Sequence, residues 1–437
     1  MITTLVGRTF LKAFNEARGT QLSAKQFFEK HYFKLFFEHP KYMQWITNSP
    51  FVQMKAGQKP HLLSATQRRQ KLADLRQKIA TRIPEASIAI GYPAADKKEY
   101  AITSGQVSDL PIPTDEESIY LSWIGSGLGL TVAGGYSILF DDPTILLDIY
   151  KGWTRYRKYL NDPTMAVMKG NQVNTWNAQW LAYYYDKENY RNGFNFARVQ
   201  QRMFKASTDS IEVKTIAWSR LFFRIAAQCP NKSMVGHIYS HGDTNKTIGF
   251  IPFHFKSGNR LVEVYRKLFD PGIRINATDF ENLFGLHIKR ACELGTIGIQ
   301  ALRPGRLKKY YYEKNPSFNK PDEISLYHVF KTWLVTMLSK NKEELLDHTS
   351  IIAKKLIHYR KGSDKTGRKI LVEETLIVAR QQRMFLDGMS EVIKTVAEED
   401  RHYFKKLRDE AYLMTPEEYG YFVTLLRFDY YFLDRDA

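Results

Sequence analysis

Apolar residues recur at helical spacing along both ends of this chain, and short alternating runs separate them. From Ser64 to Arg82 the sequence SATQRRQKLADLRQKIATR places Leu72, Leu75 and Ile79 on one face of a helix whose other face is basic. Ser64 stands as its N-cap and Pro84 lies beyond its end. Residues 1–50 read as aromatic helices, and the run QFFEKHYFKLFF is too bulky to remain on a surface, so it is expected to pack inward. Past residue 321, Leu326, Val329, Phe330, Trp333, Leu334 and Met337 repeat with a 3.6-residue period. Asn341 with Glu344 starts a second helix that ends at Gly362, and a polar linker, SDKTGR, follows. Residues 370–396 and 397–413 continue the pattern. Thr415, Pro416 and Glu418 then form a capping box with proline at the first helical position.

Between these regions the pattern changes. Glycine, proline and short β-branched runs from about 86 to 140 suggest strands and tight turns, and residues 234–256 suggest two strands joined by the turn GDTNKT. The expected fold class is therefore α+β: a mixed N-terminal domain of helices and short antiparallel strands over 1–320, then a C-terminal helical bundle over 321–437. The boundary falls in KNPSFNKPD, residues 314–322. Ile119 to Phe140 carries no charge over 22 residues. Its glycines and the acidic residues on both flanks favour a buried helix or strand pair over a membrane span.

Charge divides the chain at the same boundary. Residues 1–320 hold 45 Lys and Arg against 26 Asp and Glu, whereas residues 321–437 hold 19 against 20, so the net +18 sits entirely in the first part. Residues 151–260 alone carry 17 basic and 6 acidic side chains. Interleaved with them are Trp153, Tyr156, Trp176, Trp180, Tyr183, Tyr184, Tyr185, Phe194, Phe196 and Phe204. Cations that neutralise phosphates, mixed with rings that stack on bases, point to a polyanionic partner; taken singly, each ring is expected in the core. Two cysteines, Cys229 and Cys292, in no metal or redox spacing fit a reducing cytoplasm. No cofactor is implied.

Catalytic patterns are weak. Gly125, Gly127 and Gly129 lack the GK[ST] of a phosphate loop and the spacing of a dinucleotide fingerprint. His237 and His241 lie in a strand-like context without the following Glu of a zinc hydrolase. Asp115, Glu116 and Glu117 read as a solvated acidic turn. Three polar constellations suit binding instead. Lys169, Asn171, Gln172, Asn174, Trp176, Asn177 and Gln179 pack amides around an indole, and Asn or Gln reads base edges bidentately. Asn245 and Lys246 sit at the expected hairpin tip. Arg303, Arg306, Lys308 and Lys309, beside Tyr310, Tyr311 and Tyr312, make a phosphate-contact run.

Taken in order, NSPFVQ (48–53), IAIGYPAADKKEYAITSGQVSD (88–109), LSWIGSGLGLTVAGG (121–135), NQVNTWNAQWL (171–181) and TNKTIGFIPF (244–253), followed by a helical tail, resemble the large subunit of type I CRISPR Cascade complexes, closest to the I-B group. That resemblance implies a non-catalytic protein whose N-terminal domain contacts the 5′ handle of the guide CRISPR RNA and reads the protospacer-adjacent motif on target double-stranded DNA. It implies a C-terminal bundle like the small subunits, lining the path of the displaced strand. Implied partners are the backbone and small subunits of Cascade and either a helicase-nuclease or transposition proteins, in a prokaryotic cytoplasm and away from membranes. Such a protein needs few base-reading side chains and much backbone-tracking charge. One departure is the bundle's lack of net positive charge, so strand contact there requires Lys354, Lys355, Arg360, Arg380 and Arg383 to gather on one face. A metal-dependent nuclease of mobile-element defence and a general RNA-binding scaffold are the alternative readings.

Overall fold

Two compact units, Met1–Phe255 and Lys256–Ala437, make up the chain. The computed structural model describes residues 2–45, 49–52, 54–80, 115–187, 189–190, 203–240, 247–268, 284–286, 291, 296–298, 301–304, 316, 318–338 and 344–435. Each unit carries helices and small antiparallel sheets of its own, and the fold class is α+β.

In the first unit, helix α1 (Ile2–Arg18) buries Val6, Phe10, Leu11 and Phe14, the stripe its apolar spacing dictates. Ser23 and Gln26 then form a capping box that starts α2 (Ala24–Phe27). A π-helical turn over Phe28–Tyr32 leads into α3 (Phe33–Phe36). The extra residue of that turn rotates the buried face. As a result Phe27, Phe28, Tyr32, Phe33, Phe36 and Phe37 are all buried, and the aromatic run is core as its bulk requires. Tyr32 and Phe36 stack 4.0 Å apart, and both rings meet Trp153 edge-on. Helix α4 (Ala65–Ala80) is capped reciprocally by Ser64 and Gln67 and buries Leu72, Leu75 and Ile79.

The glycine-rich stretch departs from its expected strands. Residues 81–114 lie outside the described residues, but Glu116–Ser126 form a helix, α5, capped by the Asp115 carboxylate, which accepts from the Ser118 amide at 2.6 Å. Asp115, Glu116 and Glu117 are thus a helix start. Glycine is tolerated inside α5 because it crosses α1 backbone to backbone, with Thr3 and Ser122 hydroxyls 2.7 Å apart at the crossing. A strand pair follows, β1 (Leu130–Val132) and β2 (Tyr136–Phe140). The uncharged stretch is therefore a buried helix and a strand pair, and among the described residues no helix is long and apolar enough to cross a membrane.

Helix α6 (Pro143–Asn161), capped by Asp142, and α7 (Val173–Tyr184) pack against each other. A two-stranded sheet of β3 (Phe204–Ala206) and β4 (Ile211–Val213) and helix α8 (Trp218–Gln228) follow. Then β5 (Ser233–Ser240) and β6 (Thr247–His254) complete an antiparallel sheet in the order β1-β2-β5-β6. Two strands were expected here, and two are present; residues 241–246 between them lie outside the described residues.

Helix α9 (Phe255–Leu268) leads into the second unit, which continues with the strand pair β7 (Phe284–Leu286) and β8 (Leu302–Pro304). Its helices are α10 (Pro321–Leu338) and α11 (Glu344–Arg360), then the short α12 (Lys365–Lys369) with a π-helical continuation over Ile370–Leu376. The expected linker SDKTGR is a sharp corner in which Asp364, at φ 41°, caps α12 through the Gly367 amide. A break at 377–381 precedes α13 (Gln382–Thr395), and α14 (Glu398–Tyr412) and α15 (Pro416–Asp434) complete the unit. Thr415 and Glu418 form the expected capping box. The packing boundary lies upstream of the composition break at 314–322, because the Trp333 indole donates to the Leu302 carbonyl and Phe318 packs edge-on against Tyr327 and Phe428.

Candidate nucleic-acid interface

Most of the amide-rich run serves the fold. Trp176 and Asn177 are fully buried on α7 and Gln179 is nearly so. Asn177 donates through Nδ2 to the Gly127 and Gly129 carbonyls at 2.8 and 3.0 Å, pinning the glycine turn between α5 and β1. Trp176 donates to the Gly152 carbonyl, and Gln179 to that of Lys214. Gln172 Oε1 accepts from the Val213 amide, while half-buried Asn174 donates to the Ser126 carbonyl. These side chains answer backbone groups that burial removes from water, so the expectation of a base-reading face is corrected for Trp176, Asn177 and Gln179. Of the run, Lys169 and Asn171 are exposed, with Lys169 paired to Glu212. Asn245, Lys246, Arg306, Lys308 and Lys309 lie outside the described residues, and of Arg303 only the backbone, in β8, is described.

The cations of the second unit are divided. Lys355 pairs with Asp400, and Arg360 is clamped between Glu373 and Asp434, each at 2.6 Å, so these two hold the bundle together. Lys354, Arg380 and Arg383 are exposed, with Asp387 4.0 Å from Arg383. His237 is buried on β5 beside the Phe250 ring, and desolvation lowers its pKa below the ordinary imidazole value.

The structure brings together a group that the sequence patterns did not single out. On α6, Lys151, Arg155 and Lys158 follow one another at spacings of four and three, which puts them on one face. Arg18, at the end of α1, joins them around a cleft of about 460 Å³ whose wall includes Trp180, Tyr184 and Tyr190. Among the described residues four cations line it, and no carboxylate does. Asp148 lies beneath: its Oδ1 accepts from Lys151 at 2.7 Å, and its Oδ2 accepts from the Tyr185 hydroxyl at 3.0 Å. Lys151 also donates to the Tyr184 hydroxyl at 3.1 Å. Desolvation works against the Lys151 ammonium, but the bonds to Asp148 and Tyr184 together outweigh it and raise its pKa, so this cation is held charged. Arg155 lies 5.8 Å from the Trp180 ring and Lys151 5.1 Å from that of Tyr184. The signal was present in KGWTRYRKYL as an i, i+4, i+7 row of cations; Arg18 and Tyr190, from distant segments, could be placed there only by the fold.

Rings connect this cleft to the core. Tyr156 stacks on Trp176 at 5.2 Å, Trp176 on Trp180 at 6.3 Å, and Trp180 on Tyr184 at 5.5 Å, all within 23° of parallel. The first three are buried and Tyr184 is half-buried, so the ladder runs from the core to the cleft wall. Tyr190 meets Tyr184 edge-on at 5.1 Å. Such a site offers positive charge, a flat apolar ring and hydroxyl groups, which are complementary to a phosphorylated aromatic ligand. Comparison with known proteins gives no match: no family model, curated protein or solved structure corresponds to this chain.

Proposed function

We propose that this chain is a non-catalytic nucleic-acid-binding protein, the large subunit of a CRISPR RNA-guided DNA-binding complex that recognises the protospacer-adjacent motif and stabilises the opened strand. The observation that carries the nucleic-acid part is the cleft on α6, where among the described residues four cations and the half-buried rings of Tyr184 and Tyr190 converge without a lining carboxylate. The excess positive charge of residues 1–320 supports the same reading, since each neutralised phosphate releases counterions. The assignment to a guide complex is supported by the ordered motifs that resemble Cascade large subunits. In this reading the guide handle and the motif duplex contact the basic part, with Lys169 and Asn171 among the exposed contacts. Of the five bundle cations named for strand contact, Lys354, Arg380 and Arg383 are exposed and available to the displaced strand.

The test is to recover the tagged chain from cells expressing its neighbouring genes and a CRISPR array. The expected result is co-purification of guide RNA with its 5′ handle and motif-dependent binding of target duplex, with affinity falling steeply as salt rises. Recovery of the chain without guide RNA, and with no nucleic acid bound at low salt, overturns the proposal. Magnesium-dependent cleavage by the chain alone replaces it with the nuclease reading. RNA binding indifferent to guide and duplex replaces it with the scaffold reading.

A further inference from the structure

We infer that the cleft between α1, α6 and α7 is a seat for one unpaired nucleotide, its base continuing the ring ladder at Tyr184 and its phosphate resting on the cation row of α6. The inference rests on the nucleic-acid-binding reading above and assigns it a place and a ligand. Two independent observations meet here. The first is charge: among the described residues Arg18, Lys151, Arg155 and Lys158 line a cavity of about 460 Å³ without a carboxylate, and Asp148, on the same helix, is already engaged by Lys151 and Tyr185. That leaves a surplus of positive charge that an anion would neutralise. The second is the ladder of parallel rings, which among the described residues runs out of the core to half-buried Tyr184, with Tyr190 standing edge-on beside it.

Dimensions decide between ligands. The volume lies in the range of about 300–1,000 Å³ typical of small-ligand sites. That admits one nucleotide and excludes a base pair with its two backbones. From Lys151 to Lys158 the helix rises roughly 10 Å, long enough for the row to contact the phosphates on both sides of the seated residue. Duplex DNA presents phosphates but keeps its bases stacked on one another, so it offers nothing to the Tyr184 ring. A single strand supplies both.

Fluorescence anisotropy of the full chain with labelled 12-nucleotide single strands of RNA and of DNA tests the assignment, with blunt duplex as competitor. The variants are Arg18→Glu and Lys158→Glu, both exposed, with Tyr184→Leu and Tyr184→Trp. Lys365→Glu, exposed on α12, applies the same change in net charge at a residue that does not line the cleft. Expected are tenfold or greater losses for Arg18→Glu and Lys158→Glu, with a salt slope shallower by about one. Tyr184→Leu should lose roughly ten- to a hundredfold, whereas Tyr184→Trp keeps near wild-type binding because stacking survives. The RNA and DNA arms identify which strand is seated. If wild type binds single strands but the charge reversals match Lys365→Glu, the seat is elsewhere and the broader reading stands. Equal competition by duplex overturns the unpaired base. If wild type binds neither single strand, both readings fall together.

Discussion

Lys331 Nζ lies 2.9 Å from Oδ1 of Asp429, and Asp429 is wholly removed from solvent. Around this pair the Tyr327 hydroxyl donates to Oδ1 at 2.7 Å, and Thr349 and Ser350 donate to Oδ2 at 2.9 and 3.0 Å. The carboxylate, on α15, thus binds four side chains, two from α10 and two from α11, and joins the three helices in one network.

Removing one partner leaves the other charged and buried. Asp429→Ala and Lys331→Met should each destabilise the protein by about 3–5 kcal/mol, and a Lys331→Met/Asp429→Leu double variant by much less than their sum. Denaturant unfolding of the full chain, followed by far-UV circular dichroism, measures this. Additive losses would show that the two side chains do not act as a pair.

A neighbouring histidine makes the same unit sensitive to acid. His328 is buried, and desolvation, followed by the nearby charges of Lys331 and Arg435, lowers its pKa from 6.5 to about 4. Between these values the unfolded chain binds the proton and the folded chain does not, so stability falls as pH drops from about 6.5 towards 4 and the loss saturates below. At 1.36 kcal/mol per unit the full effect is on the order of 3 kcal/mol. In the first unit His39 shifts the same way, to about 4, through desolvation and then Arg157. His328→Gln should therefore flatten, without abolishing, the pH dependence of the unfolding midpoint; an unchanged curve places the sensitivity elsewhere.

Local signals proved more legible than long-range ones. Ser64 and Thr415 marked true helix starts because a capping box is complete within four residues. The aromatic run at 26–37 could only be core. By contrast, the strand signal at Gly125 misled, because what that glycine serves is a helix crossing whose partner lies more than a hundred residues away. The amides of α7 looked like readers of base edges because composition does not say which face Asn177 and Gln179 occupy. Nor did the charge break at 320 mark the limit of the second unit, since packing joins Leu302 to Trp333 regardless of charge. The cleft was half legible, as a row on α6 without Arg18 or Tyr190.

That helix crossing gives a prediction with an unusual sign. A Cβ at Gly7 would lie 2.0 Å from the Leu121 carbonyl oxygen, and one at Gly125 would lie 1.9 Å from that of Thr3. On helix propensity alone, Gly→Ala gains about 1 kcal/mol. Here both neighbours are backbone and cannot step aside, so Gly7→Ala and Gly125→Ala should each cost about 3 kcal/mol or more. A raised melting temperature in either variant would contradict the close crossing.

The last prediction separates structure from recognition within one sequence run. Asn177 holds the carbonyls of Gly127 and Gly129, and its replacement leaves both without that buried donor, a loss of about 1–3 kcal/mol for each unsatisfied group. Asn177→Ala should therefore lower the melting temperature markedly, while any protein that remains folded binds nucleic acid with an unchanged salt slope. Lys169 and Asn171 are exposed, four and two residues before the start of α7, and Lys169 pairs with Glu212. Lys169→Ala should leave stability within about 0.5 kcal/mol, as for most surface positions, and reduce the salt slope of binding by about one if the lysine meets a phosphate. Thermal melts and salt-titrated anisotropy on the same two variants decide the matter. A stable Asn177→Ala variant with weakened, motif-blind binding would return the asparagine to the recognition surface that its burial argues against.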